Sequence, residues 1–448
     1  MGSDNKLKNM INTVTVVGAN GTMGLNVSAI FAAFGNAAVY LVSREAEKSV
    51  RAREKACLSV RADSIKGRLI PVDYSSLEEC VDRSDLIFEA CAEDHTVKKA
   101  VHEKIAACLQ GKAGRKYVCT GTSGLSVTVL AELYPKECRS RFYGMHFFNP
   151  PYQMTLCEMT PTIYSEGDPS AFSELKEYAQ KILYRTVVQT KDTPAFLGNR
   201  IGFQFINEAL QNAERLKYNG GIDYIDTVLG AFTGRSMPPL ATANFVGLDV
   251  HKAIVDNLFA NTDDYAHSTF ALPDFVNKLV AEGKNGKKVG EGFYKTILLD
   301  NGKKTHWVFD IEHETYREKI AYSFPFAEIM IDALRVGDYR TAISTLVENR
   351  SSEAMLCCNA LLNYIVYSLF AASEMGCDAS AADDVMAAGF RWCPPLSLYE
   401  AFSEITDFEK LCEQRLSEDV RETVLKYRLF EMLHPSKYDF RRFLLAKH

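Results

Sequence analysis

Residues Thr13–Gly24 read TVTVVGANGTMG. A run rich in β-branched side chains, Thr13–Val17, stops at Gly18, and from Met23 to Phe34 the apolar residues take helical spacing. A second apolar run, Ala38–Val42, follows. Strand, glycine turn, helix and strand in that order open a parallel α/β sheet. Glycine at such a turn lets the backbone approach a pyrophosphate, which rests on the helix N-terminus. The context makes Gly18, Gly21, Thr22, Met23 and Gly24 candidate cofactor-binding residues, although the spacing is one residue longer than G-x-G-x-x-G.

Further along, the alternation continues. Leu86–Phe88, a helix near Val97–Leu109, Tyr117–Cys119, a helix near Val127–Leu133, and Phe142–Phe147 extend the series, so a doubly wound, Rossmann-like α/β domain is expected. After Thr186–Val188 strand signals fade, and from Phe196 long helical patterns take over. Residues 296–325 are polar and irregular, with two strand-like pieces, before helical periodicity returns at Phe326. DTVLGAFTGRSMPPL (Asp226–Leu240) and DVMAAGFRWCPPL (Asp384–Leu396) read as two copies of one helical unit, each after a long amphipathic helix carrying Glu214 or Glu374. The expected organisation is a dinucleotide-binding domain over 1–192 and two related all-α domains, 193–296 and 297–448, the second a degenerate repeat.

Composition narrows the classes. A formal charge of -6 argues against a duplex nucleic-acid binder. No stretch approaches the roughly 18 uninterrupted apolar residues of a membrane span. The opening MGSDNKLKNMINTV lacks a signal-peptide layout, and Lys6 stands where a myristoylation signal at Gly2 needs Ser or Thr. The twelve cysteines form no CxxC pair and no finger-like Cys/His spacing, so no metal site is read, and they suit a reducing interior. The expectation is a cytoplasmic protein.

At the end of the second strand, an NAD site usually presents an acidic side chain to the ribose 2′-hydroxyl. Here Ser43–Arg44 stands there. Serine removes a charge that repels a 2′-phosphate and arginine supplies one that attracts it, so NAD(H) or NADP(H) is expected, with NADP(H) favoured.

His146 closes an apolar run in RFYGMHFFNP (Arg141–Pro150), at the carboxyl end of an expected strand, where doubly wound sheets bind ligands. Taken alone it reads as a satisfied core histidine. Glu158, in MTLCEM (Met154–Met159), lies one short turn away, and a carboxylate on one imidazole nitrogen makes the other more basic. Ser123, in TGTSGL, occupies another strand-end position, and Asn199 opens the helix after the domain boundary. Alone, either reads as a cap or turn residue.

HFFNP with Glu158, DTPAFLGNRIG (Asp192–Gly202), PPLATANFVGLD (Pro238–Asp249) and GKKVGEGFYK (Gly286–Lys295) resemble, in order, the signature segments of 3-hydroxyacyl-CoA dehydrogenases. The resemblance spans roughly residues 12–296, and more faintly 326–402, where it is similar to the second helical repeat of larger bacterial fatty-acid-oxidation members; no hydratase-like portion accompanies it. It implies that His146 is the general base, Glu158 its orienting partner, and Ser123 and Asn199 ligands of the substrate oxygens. It further implies that Glu93 and Lys98, in EACAEDHTVK, contact the cofactor, and that an acyl-CoA is the substrate.

Three features depart from the family pattern. Ser43 replaces an acidic residue. The interval Glu45–Val72 is short for the family's CoA-supporting helical hairpin, though Lys55, Arg61, Lys66 and Arg68 are available for CoA phosphates or equally for a solvated face. The second repeat lacks an Asn-Arg pair at the place of Asn199–Arg200; Asn349–Arg350 falls too early when Asp226 and Asp384 are aligned. The duplication suggests either a monomer whose repeats imitate the family's dimer interface or a homodimer. Two further readings stay open: a nicotinamide-dependent dehydrogenase of a hydroxy acid without CoA, and a non-catalytic dinucleotide-binding protein.

Overall fold

β1 (Thr13–Val17) is buried at every residue but its first, because sheet neighbours flank it on both sides and helices cover its faces. The computed structural model describes residues 7, 9–112, 115–298 and 304–446, and the chain divides into two units, residues 1–196 and 197–448. The Gly2 and Lys6 reading lies outside the described residues. The expected boundary near Lys191–Pro194 falls a few residues before the division.

In the first unit β1 is followed by α1 (Thr22–Ala33), β2 (Ala38–Ser43), α2 (Ala46–Val60), β3 (Leu69–Asp73), α3 (Leu77–Arg83), β4 (Leu86–Glu89), α4 (His95–Cys108) and β5 (Tyr117–Thr120). Two short helices, α5 (Val127–Ala131) and α6 (Lys136–Arg139), lead to β6 (Phe142–Phe147), β7 (Leu156–Pro161), α7 (Pro169–Lys181) and β8 (Thr186–Gln189). The sheet order is β3-β2-β1-β4-β5-β6-β7-β8. All pairings are parallel except β6 with β7, after which β8 runs parallel to β7. Strand order reverses between β1 and β4, the place where doubly wound sheets open a ligand crevice. Two apolar clusters cover the two faces, one around Val14, Val16 and Phe31, the other around Val17, Ile87 and Phe142.

β3 (LIPVD) carries Pro71 mid-strand. It occupies the sheet edge, the position where a missing backbone donor is tolerated. Between β2 and β3 the chain forms one α-helix and a single 3-10 segment, Asp63–Arg68.

The second unit holds α8 (Gly198–Arg215), α9 (Ile222–Val228), α10 (Pro239–Val246), α11 (Leu248–Asn261) and α12 (Asp274–Ala281), then an antiparallel meander of β9 (Tyr294–Leu298), β10 (Lys304–Asp310) and β11 (Thr315–Glu318). The stretch expected to be irregular with two strand-like pieces thus carries a small three-stranded sheet between the helical parts. Helices α13 (Pro325–Arg335), α14 (Tyr339–Glu348), α15 (Ser352–Glu374), α16 (Ser380–Val385), α17 (Pro395–Ser403), α18 (Phe408–Arg415) and α19 (Glu418–Tyr427) complete it. By length and apolar composition α15 is long enough to cross a membrane, yet most of it is buried inside the unit.

The repeat is visible as geometry, with one correction of register. The Asp226 carboxylate accepts the backbone N–H groups of Leu240 and Ala241 at the start of α10, each at 2.8 Å. In the second copy the residue that accepts the Leu396 N–H at the start of α17, also at 2.8 Å, is Asp383. Asp384, expected to match Asp226, instead faces Lys437 and the Tyr438 hydroxyl. Both capping aspartates are buried, and burial pushes each up to about 6. The two Pro-Pro loops touch: Cys393 N–H donates to the Gly234 carbonyl at 2.6 Å.

All twelve cysteines are free and nine are buried, so they serve as small packing residues.

Candidate active site

The turn after β1 is shaped by close backbone approach. Gly18 has φ +85°, and a Cβ there would stand 2.8 Å from the Ala90 carbonyl oxygen. A Cβ on Gly24 would stand 2.4 Å from the Gly18 oxygen. At the N-terminus of α1, Gly21 offers no side-chain cap and the first turn has no acidic residue. A bare, uncapped helix start beside a strand-order reversal fits the pyrophosphate of a dinucleotide. Thr22 is exposed at this start, while Met23 turns into the neighbouring cavity.

At the end of β2, Ser43 is buried. Its hydroxyl bonds the Glu45 carbonyl at 2.8 Å and the Ser49 hydroxyl at 2.6 Å, and Ser49 bonds the Val72 carbonyl at 2.8 Å. Ser43 thus ties β2 to α2 and β3, and its hydroxyl is not presented to a ribose. Arg44 is exposed and makes no ion pair among the described residues.

A cavity of about 200 Å³ lies at the carboxyl ends of β4, β5 and β6, walled by Met23, Phe88, Ala90, Glu93, Ser123 and His146 among others. His146 and Glu158 are direct partners in the β6–β7 register. Nδ1 lies 2.9 Å from Oε2 of Glu158, whose side chain is 0% exposed. A buried carboxylate accepts from Nδ1–H, so the lone pair resides on Nε2, the nitrogen left for the cavity. Phe148 and Phe196 pack their rings against the imidazole at 4.6 and 5.7 Å between centroids and restrict its rotation.

Glu93 and Ser123 meet in the same wall. Oε1 of Glu93 accepts the Thr122 hydroxyl, the Ser123 N–H at 3.0 Å and the Gly124 N–H at 2.9 Å. Lys98 is 1% exposed, and its ammonium is engaged by both oxygens of Glu89 at 2.9 and 3.0 Å and by Glu93 at 3.3 Å. Lys98, for which the resemblance implies a cofactor contact, has its donors held by carboxylates and meets the cavity wall through Glu93. Burial alone would lower its pKa, but the charges of Glu89 and Glu93 outweigh burial and raise it.

Sequence reasoning missed Glu89 and the residues that satisfy it. Its side chain also accepts the Thr120 hydroxyl at 2.7 Å and the Cys91 N–H at 2.6 Å, and lies 3.3 Å from His102 Nε2. Burial works to raise this carboxyl, yet His102, Lys98 and Thr120 together hold it at about 2. The legible signal was its place at a strand end, one residue from the cavity wall.

The remaining candidates lie elsewhere. Asn199 is buried in the first turn of α8, in the second unit. Next to it, Arg200 bonds Asp264 at 2.7 Å and the Tyr367 hydroxyl at 3.1 Å. Lys55, Arg61 and Lys66 are exposed and Arg68 partly so, along the end of α2 and the following 3-10 segment; Lys66 is paired with Glu54 at 3.1 Å. None of the four lines the His146 cavity.

Residues 13–193 match the family described as "3-hydroxyacyl-CoA dehydrogenase, NAD binding domain", and residues 196–296 the one described as "3-hydroxyacyl-CoA dehydrogenase, C-terminal domain". The hydroxyacyl-coenzyme A dehydrogenase, mitochondrial, of Homo sapiens is 31% identical over 302 residues, covering 64% of this chain and 92% of that protein. A probable 3-hydroxyacyl-CoA dehydrogenase of Bacillus subtilis is 28% identical over 372 residues; the match takes in 83% of this chain but spans only 45% of that relative's length. The crystal structure of 3-hydroxybutyryl-CoA dehydrogenase from Escherichia coli superposes with a TM-score of 0.66 at 21% identity, over 94% of this chain and 99% of that one. That likeness speaks to fold, and it extends through the second helical repeat.

Proposed function

The chain belongs to the 3-hydroxyacyl-CoA dehydrogenase family, and from that premise we propose that it interconverts an (S)-3-hydroxyacyl-CoA and the 3-ketoacyl-CoA with a nicotinamide cofactor. The observation that carries the reading is the His146–Glu158 pair in the wall of a strand-end cavity that also contains Ser123.

When bound, the nicotinamide supplies the hydride acceptor in oxidation and the donor in reduction. His146 Nε2 takes the proton from the 3-hydroxyl and returns it in the reverse direction. Glu158 stabilises the imidazolium formed when that proton arrives and keeps the ring in the tautomer that can accept it. Ser123 donates a hydrogen bond to a substrate oxygen. Gly18, Gly21 and Gly24 admit the pyrophosphate, and Phe88 and Met23 give the cavity an apolar wall.

NADP(H) is the favoured cofactor in this reading. Its support is the exposed Arg44 at the end of β2, which makes no ion pair among the described residues, and the absence of a carboxylate at Ser43. Reduced thiols at all twelve cysteines favour a cytoplasmic setting.

A second reading, dehydrogenation of a hydroxy acid without CoA, draws on one observation. The interval between β2 and β3 holds a single α-helix, where the family resemblance leads one to expect a helical hairpin. Following NADH and NADPH absorbance separately, with acetoacetyl-CoA and with the free acid, separates the two. Turnover of the thioester is expected. Turnover of the free acid alone establishes the second reading, and no turnover of either substrate overturns both.

A further inference from the structure

Three charged side chains form a chain from beneath the cavity to its wall. Glu89 is 0% exposed at the end of β4, fixed by Thr120, the Cys91 N–H and His102. It holds Lys98 through both carboxylate oxygens, and Lys98 in turn holds Oε2 of Glu93, which is 36% exposed. The other oxygen of Glu93 gathers the Thr122 hydroxyl and the Ser123 and Gly124 amides. One carboxylate thus fastens the loop that carries Ser123, and its own orientation is set from behind.

A buried ammonium between two carboxylates is seldom the most stable filling for such a space, since a well-packed apolar side chain of similar volume often does as well or better. A glutamate more than a third exposed and tied at one end only would sample several rotamers, each releasing the loop differently. The tether from Lys98 removes that freedom. Its effect is felt at Ser123, because displacing a substrate-positioning group by about 1 Å can cost on the order of 100-fold in rate.

We propose that Glu89 is a positioning residue for the loop bearing Ser123, acting through Lys98 and Glu93. The inference rests on the reading of Ser123 as a ligand of a substrate oxygen. Glu89 does not touch the cavity; it determines where Glu93, and hence the 122–124 backbone, comes to rest.

The test uses the whole chain and two variants. Glu89→Gln/Lys98→Met removes both buried charges together, so that the only ion left without its partner is the partly exposed Glu93. Glu93→Gln cuts the same tether from its exposed end, where the fold is not at stake. Amide hydrogen exchange of the segment around Ser123 and Gly124 is followed by mass spectrometry, alongside thermal melting, cofactor Kd, and kcat and KM with acetoacetyl-CoA. Both variants are expected to melt close to wild type, to exchange the Ser123 and Gly124 amides about tenfold faster or more, and to lose about tenfold or more in kcat at saturating cofactor. A purely structural role would move the melting temperature and leave kcat alone.

Wild-type exchange at those amides in either variant overturns the proposal. Wild-type kcat in both variants also overturns it. If the unmodified protein turns over no thioester, the proposed function fails on its own, while the exchange measurement still decides the positioning claim.

Discussion

His146 and Glu158 stand directly opposite each other across the antiparallel pairing of β6 and β7, with Nδ1 2.9 Å from Oε2. The register does more than bring them close. It buries the carboxylate at 0% exposure, where it has little freedom to turn away from the ring. His146→Ala is expected to lower kcat for acetoacetyl-CoA reduction by about 10³-fold, and Glu158→Gln by about 10²-fold, within the span of general acid–base catalysis. Fluorescence titration should give a cofactor Kd close to wild type in both. A His146→Ala enzyme with near-normal kcat would sink the mechanism.

Cofactor choice turns on Arg44. Its guanidinium is exposed at the end of β2, whereas Ser43 is committed to the buried hydroxyl chain through Ser49. Arg44→Ala is expected to raise KM for NADPH about tenfold, the worth of one charge-assisted hydrogen bond, and to leave KM for NADH within about twofold. Equal effects on the two cofactors would show that Arg44 does not read the 2′-phosphate. Ser43→Ala should lower the melting temperature with no change in the NADPH/NADH ratio.

Periodicity and turn chemistry made most of the first unit legible. β1, β2, β6 and the helix after the glycine turn follow from β-branched runs, apolar spacing and Gly18 alone. β3 was not legible, because Pro71 breaks the pattern and only the sheet edge makes that proline acceptable. His146 and Glu158 were legible as a pair because a short antiparallel turn constrains residues a dozen apart. Glu89 and His102 were not, since charges on a strand end and a helix face read as solvated until tertiary packing encloses them. The one-residue slip between Asp384 and Asp383 arose because spacing cannot tell which of two adjacent aspartates faces a helix start.

Asp226 and Asp383 predict how stability depends on pH. Each is pushed up to about 6 by burial. An unfolded aspartate titrates near 4, so between about pH 4 and pH 6 the folded chain binds more protons than the unfolded one. Stability therefore falls as pH rises through that window, by up to about 3 kcal/mol per group. Carboxyls held low elsewhere, such as Glu89 at about 2 in the first unit, act in the opposite sense below pH 4.5. Thermal melting of the full chain should show a shallower decline from pH 4.5 to 6.5 in Asp226→Asn/Asp383→Asn than in wild type. Identical slopes would mean that the two caps do not titrate there.

Within the second unit the second helical repeat packs against the first. α8 meets α15 and its neighbours along one face. A Cβ on Gly202 would stand 2.4 Å from the Phe390 ring, and Tyr367 of α15 reaches Arg200 and Asp264 at 3.1 and 3.0 Å. The buried Arg235 guanidinium lies 3.8 Å from the Phe205 ring centroid and 4.8 Å from that of Trp392, joining both copies through cation–π contact. If this packing stands in for a dimer interface, sedimentation equilibrium at micromolar concentration should return the chain mass, 50.1 kDa. Gly202→Val should destabilise the unit by about 1–3 kcal/mol through overpacking against Phe390 while leaving that mass unchanged. A wild-type mass near twice the chain value would show that a different face pairs two copies, and the duplication would then need another explanation.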